Sequence, residues 1–335
     1  MRQVAFFSVA PYERPILEQA AFPNTTCLFH AEPLSDDTLA LARDAEVLCV
    51  FIYDRLDAAR LAQLPALRCV VTRSTGYDHI DLAACAARSI RVCYVPSYGE
   101  NTVAEHAFAL LLALARQLKL CFRKAEAHDF GLEGLEGFDL KGKTLGVVGA
   151  GRIGLNAVRI GRGFGMDVLA YDVRELPELA AREGFRYVPL DALLARADVV
   201  TLHTALTPET RHLIDRAALA RMKPSAILIN TARGPVVDTA ALCEALEAGR
   251  LAGAGLDVFE GEEWLKEEAE LLRPDLSPEK RQALTLCHTL LSRDDVVLTP
   301  HSAFFTREGV ARLLETSLEN IGDYLAGKPC HQAGA

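Results

Sequence analysis

Short apolar, β-branched runs alternate with longer segments of helical periodicity from one end of the chain to the other. Val4–Val9, Val47–Ile52, Cys69–Thr72 and Val92–Val95 have the length and composition of buried strands, and Ser35–Asp44 and Ala58–Gln63 read as helical stretches between them. A second series begins at Thr144. Its strands are Thr144–Val148, Asp167–Tyr171, Val199–Leu202, Ala226–Asn230, Gly253–Asp257 and Val296–Thr299, with helices starting near Gly151, Pro189, Asp215 and Asp238. Strand then helix, repeated, builds a parallel sheet flanked by helices. One open sheet seldom holds this many strands, so the pattern predicts two α/β domains.

Four other segments stand out. Thr102–Phe122, with Asn101 as its N-cap, is apolar on nearly every side and predicts a helix buried between domains or in a subunit interface. The acidic, Gly-rich run Asp129–Asp139 reads as a loop. Glu308–Leu325 is an amphipathic helix with Leu313, Leu314, Leu318, Ile321 and Leu325 on its apolar face. Trp264–Ser292 is charged and helical, contains Pro274 and Pro278, and interrupts the alternation; it reads as an insertion, either a solvated appendage or a lid.

Composition narrows the class. Half of the 335 residues are hydrophobic, ample for two cores, and the net charge of -9 argues against a nucleic-acid or anionic-membrane surface. The N-terminal apolar stretch is too short for a secretion signal, and no apolar run is long enough to span a bilayer, so a soluble, cytoplasmic protein is expected. The nine cysteines form no C-x-x-C pair and sit among apolar neighbours, which predicts buried, reduced thiols. No His, Asp or Glu cluster has metal-ligand spacing.

Candidate chemistry enters at Gly149-Ala150-Gly151-Arg152-Ile153-Gly154, which follows the strand Thr144–Val148 and opens an amphipathic helix. In that setting Gly149 permits a tight turn, Gly151 lets the backbone approach a pyrophosphate, and Gly154 lets helix pack on strand. The helix N-terminus offers N–H donors to the phosphates. Asp172 ends the next strand, where an acid accepts from the ribose hydroxyls and repels a 2′-phosphate; NAD is therefore expected rather than NADP, although Arg174 nearby can soften the choice.

Beside this loop stand Ala104-Glu105-His106, Leu202-His203, Leu206-Thr207-Pro208-Glu209-Thr210, Asn230-Thr231-Ala232-Arg233-Gly234, Gly255-Leu256-Asp257-Val258-Phe259-Glu260-Gly261-Glu262 and Thr299-Pro300-His301-Ser302-Ala303. In this order they resemble the D-isomer-specific 2-hydroxyacid dehydrogenases across almost the whole chain. The resemblance implies two Rossmann-like or flavodoxin-like doubly wound parallel-sheet domains with a cleft between them. Residues 1–99 and 301–335 would form a discontinuous substrate domain and residues 100–300 the NAD-binding Rossmann domain, with a homodimer formed through the 102–122 helix region. Ala205 departs from the family, which often has a proline there.

The resemblance also carries roles. It implies that Arg233 holds the substrate carboxylate and polarises the carbonyl, that His301 is the acid/base, and that a glutamate partners it. Spacing leaves Glu260, Glu262 and Glu263 open; similarity to the D-lactate dehydrogenase branch favours Glu262. Thr75 and Gly76, in Ser74-Thr75-Gly76, match the loop whose backbone N–H groups bind the carboxylate. Arg152, Ile153, His203, Thr204, Thr231, Ala232 and Asp257 are implied to border the cofactor, Asp257 at the nicotinamide carboxamide. The chemistry agrees: a guanidinium gives paired donors to a carboxylate, and an imidazole moves a proton near neutral pH, readied to donate by an adjacent carboxylate. The remaining histidines, His79, His106, His212 and His288, read as structural or peripheral.

For the substrate, Tyr53, Tyr98 and Phe304 stand where the D-lactate branch has aromatic residues. Aromatic walls suit a methyl or other apolar side chain and offer nothing to a phosphate. Pyruvate or a close 2-oxo acid homologue is expected, ahead of hydroxypyruvate, glyoxylate or a phosphoglycerate-type substrate. An NAD(H)-sensing co-regulator and a formate or phosphite dehydrogenase are the alternatives of other classes; the glutamine expected for the formate type is missing before His301.

Overall fold

The computed structural model describes residues 1–262 and 277–334. The chain divides into two compact units, Met1–Gly99 with Phe305–Ala335, and Glu100–Phe304. The return crossing lies between Phe304 and Phe305, after His301 rather than before it.

The first unit holds a five-stranded parallel sheet in the order β2-β1-β3-β4-β5. Its strands are β1 (Arg2–Phe6), β2 (Thr25–Phe29), β3 (Val47–Val50), β4 (Cys69–Thr72) and β5 (Arg91–Cys93). β3 and β4 are buried at every position, as continuous apolar runs must be when helices cover both faces of a sheet. β2 escaped the sequence pattern because it is an edge strand, partly exposed along its length and bearing Thr25 and Thr26. The expected helix Ser35–Asp44 is only a 3-10 turn, Leu39–Ala42, and β1 ends earlier than expected, at Phe6.

The cysteine expectation needs correcting. Cys93 and Cys330 form a disulfide, with Cα atoms 6.4 Å apart. The C-terminal tail lies along β5, with the Tyr94 amide donating to the His331 carbonyl and the Ala333 amide to the Val92 carbonyl. That pairing covers a sheet edge and brings together two cysteines 237 residues apart, a juxtaposition no spacing rule reveals. The other seven cysteines are thiols outside any disulfide, five of them buried.

The second unit holds a seven-stranded parallel sheet in the order β12-β11-β10-β9-β6-β7-β8. The strands are β6 (Thr144–Val148), β7 (Asp167–Tyr171), β8 (Arg186–Tyr187), β9 (Val199–Leu202), β10 (Ile227–Asn230), β11 (Gly253–Leu256) and β12 (Val296–Leu298). The chain winds outward from β6 to β8, then returns and winds the other way from β9 to β12. Strand order therefore reverses between β6 and β9, the place where open α/β sheets bind ligands beyond the strands' carboxyl ends.

The long helix is two helices, Glu100–Ala115 and Leu118–Glu126. Gln117 between them is left-handed (φ 51°), and the Phe138 amide takes the Ala115 carbonyl at 2.9 Å, which ends the first helix. Asn101 is no N-cap: it lies inside the first turn and donates to Glu105. The first helix packs on the helix Arg152–Gly163 and on β10 to β12, which accounts for its apolar sides within this one unit. Of the insertion, Pro278–Ser292 is a helix capped by Ser277; the lid expectation falls largely on residues 263–276, outside the described residues. Among the described residues, no helix is long and apolar enough to cross a membrane.

Candidate active site

β10, β11 and β12 are neighbours, and each is followed at its carboxyl end by one residue of the expected catalytic set: Arg233, Glu262 and His301. Parallel strands all end on the same edge, so topology alone gathers these three loops. Asn230 braces the first of them, accepting from the Ala232 amide and donating to the Arg233 carbonyl, both at 3.0 Å. Gly234 lets that loop touch the next one: a Cβ there would lie 2.3 Å from the Phe259 carbonyl carbon, so a larger residue would drive the loops apart.

His301 Nδ1 and Glu262 Oε1 are 2.7 Å apart, with both side chains mostly shielded from solvent. Glu260 is engaged elsewhere: its carboxylate meets His212 Nε2 at 2.8 Å and accepts from the Thr239 amide at 3.1 Å. Glu263 lies outside the described residues. An ionised carboxylate only accepts, so a proton on Nδ1 is the one that faces Glu262, and Nε2 is the ring nitrogen turned away from that contact.

The His301 backbone is left-handed (φ 52°), a conformation that a non-glycine residue holds only where its surroundings enforce it. Asp257 does so. Its carbonyl accepts from the His301 amide at 2.9 Å, and its carboxylate accepts from Thr299 Oγ1 (2.5 Å), the Ser302 amide (2.9 Å) and the Ala303 amide (2.8 Å). His106 Nε2 lies 3.0 Å from Thr299 Oγ1 and 3.4 Å from the same carboxylate. Burial pushes the Asp257 carboxyl up, but the bonds from His106, Thr299, Ala303 and Ser302 outweigh it and hold the group below its ordinary range. His106 and Thr299 escaped sequence reasoning as parts of this lock, because their partners are remote in the chain.

The loop after β6 has the shape a dinucleotide needs. Gly149 is left-handed (φ 93°), and a Cβ on it would come within 2.6 Å of the His203 carbonyl oxygen. Gly151 faces open space, and Arg152 and Ile153 start the helix Arg152–Gly163, with buried Gly154 in its first turn. Asp172 at the end of β7 accepts from the Ala150 amide (2.8 Å) and the Arg174 amide (3.0 Å), tying the glycine loop to the next strand. Beyond β9 and β10, His203 Nδ1, Thr204 Oγ1 and Thr231 Oγ1 are buried polar atoms without a hydrogen-bond partner among the described residues, and Ala232 is buried beside Thr231. Buried polar atoms ordinarily find partners, so this edge fits a polar cofactor laid along it. Burial lowers the His203 pKa to about 4, which keeps that ring neutral.

In the other unit, Tyr53, Thr75, Gly76 and Tyr98 also follow strand ends, those of β3, β4 and β5. Thr75 Oγ1 donates to the Val95 carbonyl at 2.7 Å, Ser74 Oγ donates to the Gly76 carbonyl at 2.6 Å, and the Tyr98 carbonyl accepts from Arg312. The Tyr53 ring meets Phe51 edge-on at 5.5 Å. Phe304, half-buried, closes the Glu100–Phe304 unit after the His301 loop. Among the described residues, no group of His, Cys, Asp and Glu is placed to hold a metal ion.

Residues 108–303 match the family model of the D-isomer specific 2-hydroxyacid dehydrogenase, NAD binding domain. The chain belongs to the D-isomer-specific 2-hydroxyacid dehydrogenases. Within this family it stands with the D-lactate dehydrogenase branch. A D-lactate dehydrogenase of Curvularia clavata is 38% identical over 341 residues, covering 99% of this chain and 94% of the relative. A glyoxylate reductase of Korarchaeum cryptofilum is 38% identical over 308 residues, covering 89% and 85%. The D-lactate dehydrogenase of Aquifex aeolicus, solved with NAD and lactic acid, superposes with a TM-score of 0.88 at 36% identity, covering 97% of this chain and 96% of its own. As a member of this family the protein is an oxidoreductase acting on CH–OH groups with NAD as cofactor, and the loop after β6 and the atoms left unpartnered beyond β9 and β10 suit that cofactor.

Proposed function

We propose that this dehydrogenase reduces pyruvate or a close 2-oxo acid homologue to the D-2-hydroxy acid, with His301 delivering the proton. The observation that carries this reading is the 2.7 Å contact of Glu262 with His301 Nδ1, on the sheet edge that also bears Arg233. NAD(H), when bound, supplies the hydride. Arg233 holds the substrate carboxylate through paired N–H donors and draws electron density from the carbonyl. His301 Nε2 donates to the carbonyl oxygen as it gains charge and takes the proton back in the oxidative direction. Glu262 fixes the ring's orientation and keeps its Nδ1 protonated. Gly149, Gly151, Arg152, Ile153, Gly154, Asp172, His203, Thr204, Thr231 and Ala232 are assigned to the cofactor. Asp257 is assigned to the nicotinamide end and to the His301 backbone it locks.

To the substrate's other contacts the proposal assigns the Thr75 and Gly76 backbone amides for the carboxylate, and Tyr53, Tyr98 and Phe304 as apolar walls around the side chain. The substrate role of residues 1–99 with the chain's C-terminal segment, and the cofactor role of the central unit, follow from these assignments. A homodimer through the 102–122 region is supported by the exposure of Phe122, and of Phe130 and Leu132 just beyond it; a light-scattering mass of one chain would contradict it. The glyoxylate reductase relative favours glyoxylate as a second reading of the substrate.

NADH consumption across pyruvate, 2-oxobutyrate, phenylpyruvate, glyoxylate, hydroxypyruvate and 3-phosphohydroxypyruvate tests the proposal. The highest kcat/KM is expected with pyruvate or a larger apolar oxo acid. A preference for glyoxylate, hydroxypyruvate or the phosphorylated acid would discard the aromatic-wall argument, and tight NADH binding without turnover would favour a sensor.

A further inference from the structure

We propose that Arg73 is a positioning residue for substrate recognition, fixing Ser74–Gly76 and the Phe51–Asp54 turn in one arrangement; this rests on the assignment of Tyr53, Thr75 and Gly76 to the substrate. Arg73 immediately follows β4 and is completely buried, the largest side chain so enclosed among the described residues. Its amide donates to the Val50 carbonyl at 2.8 Å, continuing the β3–β4 ladder. Its guanidinium then reaches three other segments at once. Nη2 donates to the carbonyls of Phe7 and Ser8, both at 2.9 Å, just beyond β1, and Nη1 donates to the Cys49 carbonyl in β3 at 3.3 Å. Nε meets Glu13 Oε1 at 3.2 Å, and Nη2 meets Oε2 at 3.4 Å. Glu13 is buried too, and accepts from the Ala10 amide at 3.0 Å.

The network continues to the Tyr53 turn. Ser8 Oγ donates to Asp54 Oδ1 at 2.7 Å, and that buried carboxylate also accepts from the amides of Leu34 (2.8 Å) and Phe51 (2.6 Å). The guanidinium lies 5.8 Å from the centre of the Phe51 ring, which in turn meets Tyr53. On its other side the Ser74–Gly76 loop is held by β5's extension, through Val95 N to Ser74 O at 3.0 Å and Thr75 Oγ1 to Val95 O. One buried cation thus joins the carboxyl ends of β1, β3 and β4, and the loops that carry Tyr53, Thr75 and Gly76 begin at the last two.

Apolar side chains could close these strand ends without burying charge. Burying an ion pair is a poor way to gain stability, since desolvation offsets much of the attraction. What the guanidinium adds is direction: five N–H donors in a rigid plane fix several chain segments relative to one another, which a lysine's point charge cannot reproduce. Backbone amides that recognise a carboxylate gain from being held in place before it arrives.

The test uses Arg73→Lys, which keeps the charge beside Glu13, and the double variant Arg73→Met/Glu13→Gln, which removes both charges together. Each is measured for thermal unfolding, NADH affinity, steady-state kinetics with pyruvate, and amide hydrogen exchange. The NADH Kd is expected to stay within about 2-fold of the parent, because the cofactor loop belongs to the other unit. KM for pyruvate should rise by about 10- to 100-fold while kcat falls less. Exchange at the Ser74–Gly76 amides should speed up by about 10-fold or more. A folded Arg73→Lys protein with parental KM and parental exchange would overturn the inference, and that variant decides the matter if the double variant does not fold. If the parent reduces no oxo acid, the functional reading fails on its own, and hydrogen exchange still decides the role of Arg73.

Discussion

Glu260 and Glu262 stand two positions apart on one loop, yet they serve different histidines. Glu262 meets His301, whereas Glu260 meets His212 and the Thr239 amide. Spacing could not choose between them, because the choice depends on how the chain turns after β11 and not on the order of residues. Glu262→Gln removes the charge from the His301 pair, and kcat should fall by about two orders of magnitude. Glu260→Gln should change kcat by less than about 3-fold, the scale of an interaction outside the chemistry. Equal losses in the two variants would show that the two glutamates act together. His203 supports a different prediction. Burial holds its folded-state pKa near 4, below the ordinary 6.5, so the unfolded chain binds a proton first as the solution is acidified. The stability associated with neutral His203 is complete above about pH 6.5 and is lost as the pH falls towards 4, amounting to at most about 3 kcal/mol. In His203→Asn that share of acid destabilisation should vanish; denaturant midpoints at about pH 7 and pH 4 that move apart as far as in the parent would contradict it.

Among the elements, the β6–loop–helix unit was the most legible, since its function depends on local sequence: a strand, the glycines 149, 151 and 154, and an amphipathic helix. Asp172 shows what such local reading leaves out. It stands at the expected end of β7, and its carboxylate also accepts from Ala150 in the glycine loop and from Arg174 in its own turn. Asp172→Ala therefore removes both a candidate ribose acceptor and a brace of the loop. The ratio of kcat/KM with NADH to that with NADPH should fall by at least about 10-fold, with some loss in NADH affinity as well. An unchanged ratio would assign ribose recognition to another residue. The helix expected over Thr102–Phe122 failed for a tertiary reason: the Phe138 amide caps Ala115, and Gln117 turns left-handed where propensity would continue the helix. Edge strand β2 was missed because it is partly exposed along its length, and the tail paired to β5 because its partner lies far along the chain.

On the scale of the whole chain, alternating strands and helices identified two parallel-sheet units because each βαβ crossover is local and repeats. Strand order was not legible in that pattern. It is the order that puts β10, β11 and β12 side by side, and so brings Arg233, Glu262 and His301, remote in sequence, to one sheet edge. The account stands or falls on His301 as the group that moves the substrate's proton. The decisive measurement is kcat for pyruvate reduction by His301→Gln at saturating NADH, with the NADH Kd measured on the same protein. The account predicts a fall of about 10²- to 10⁴-fold in kcat with NADH binding retained. Turnover within a few-fold of the parent would contradict it and require another proton donor.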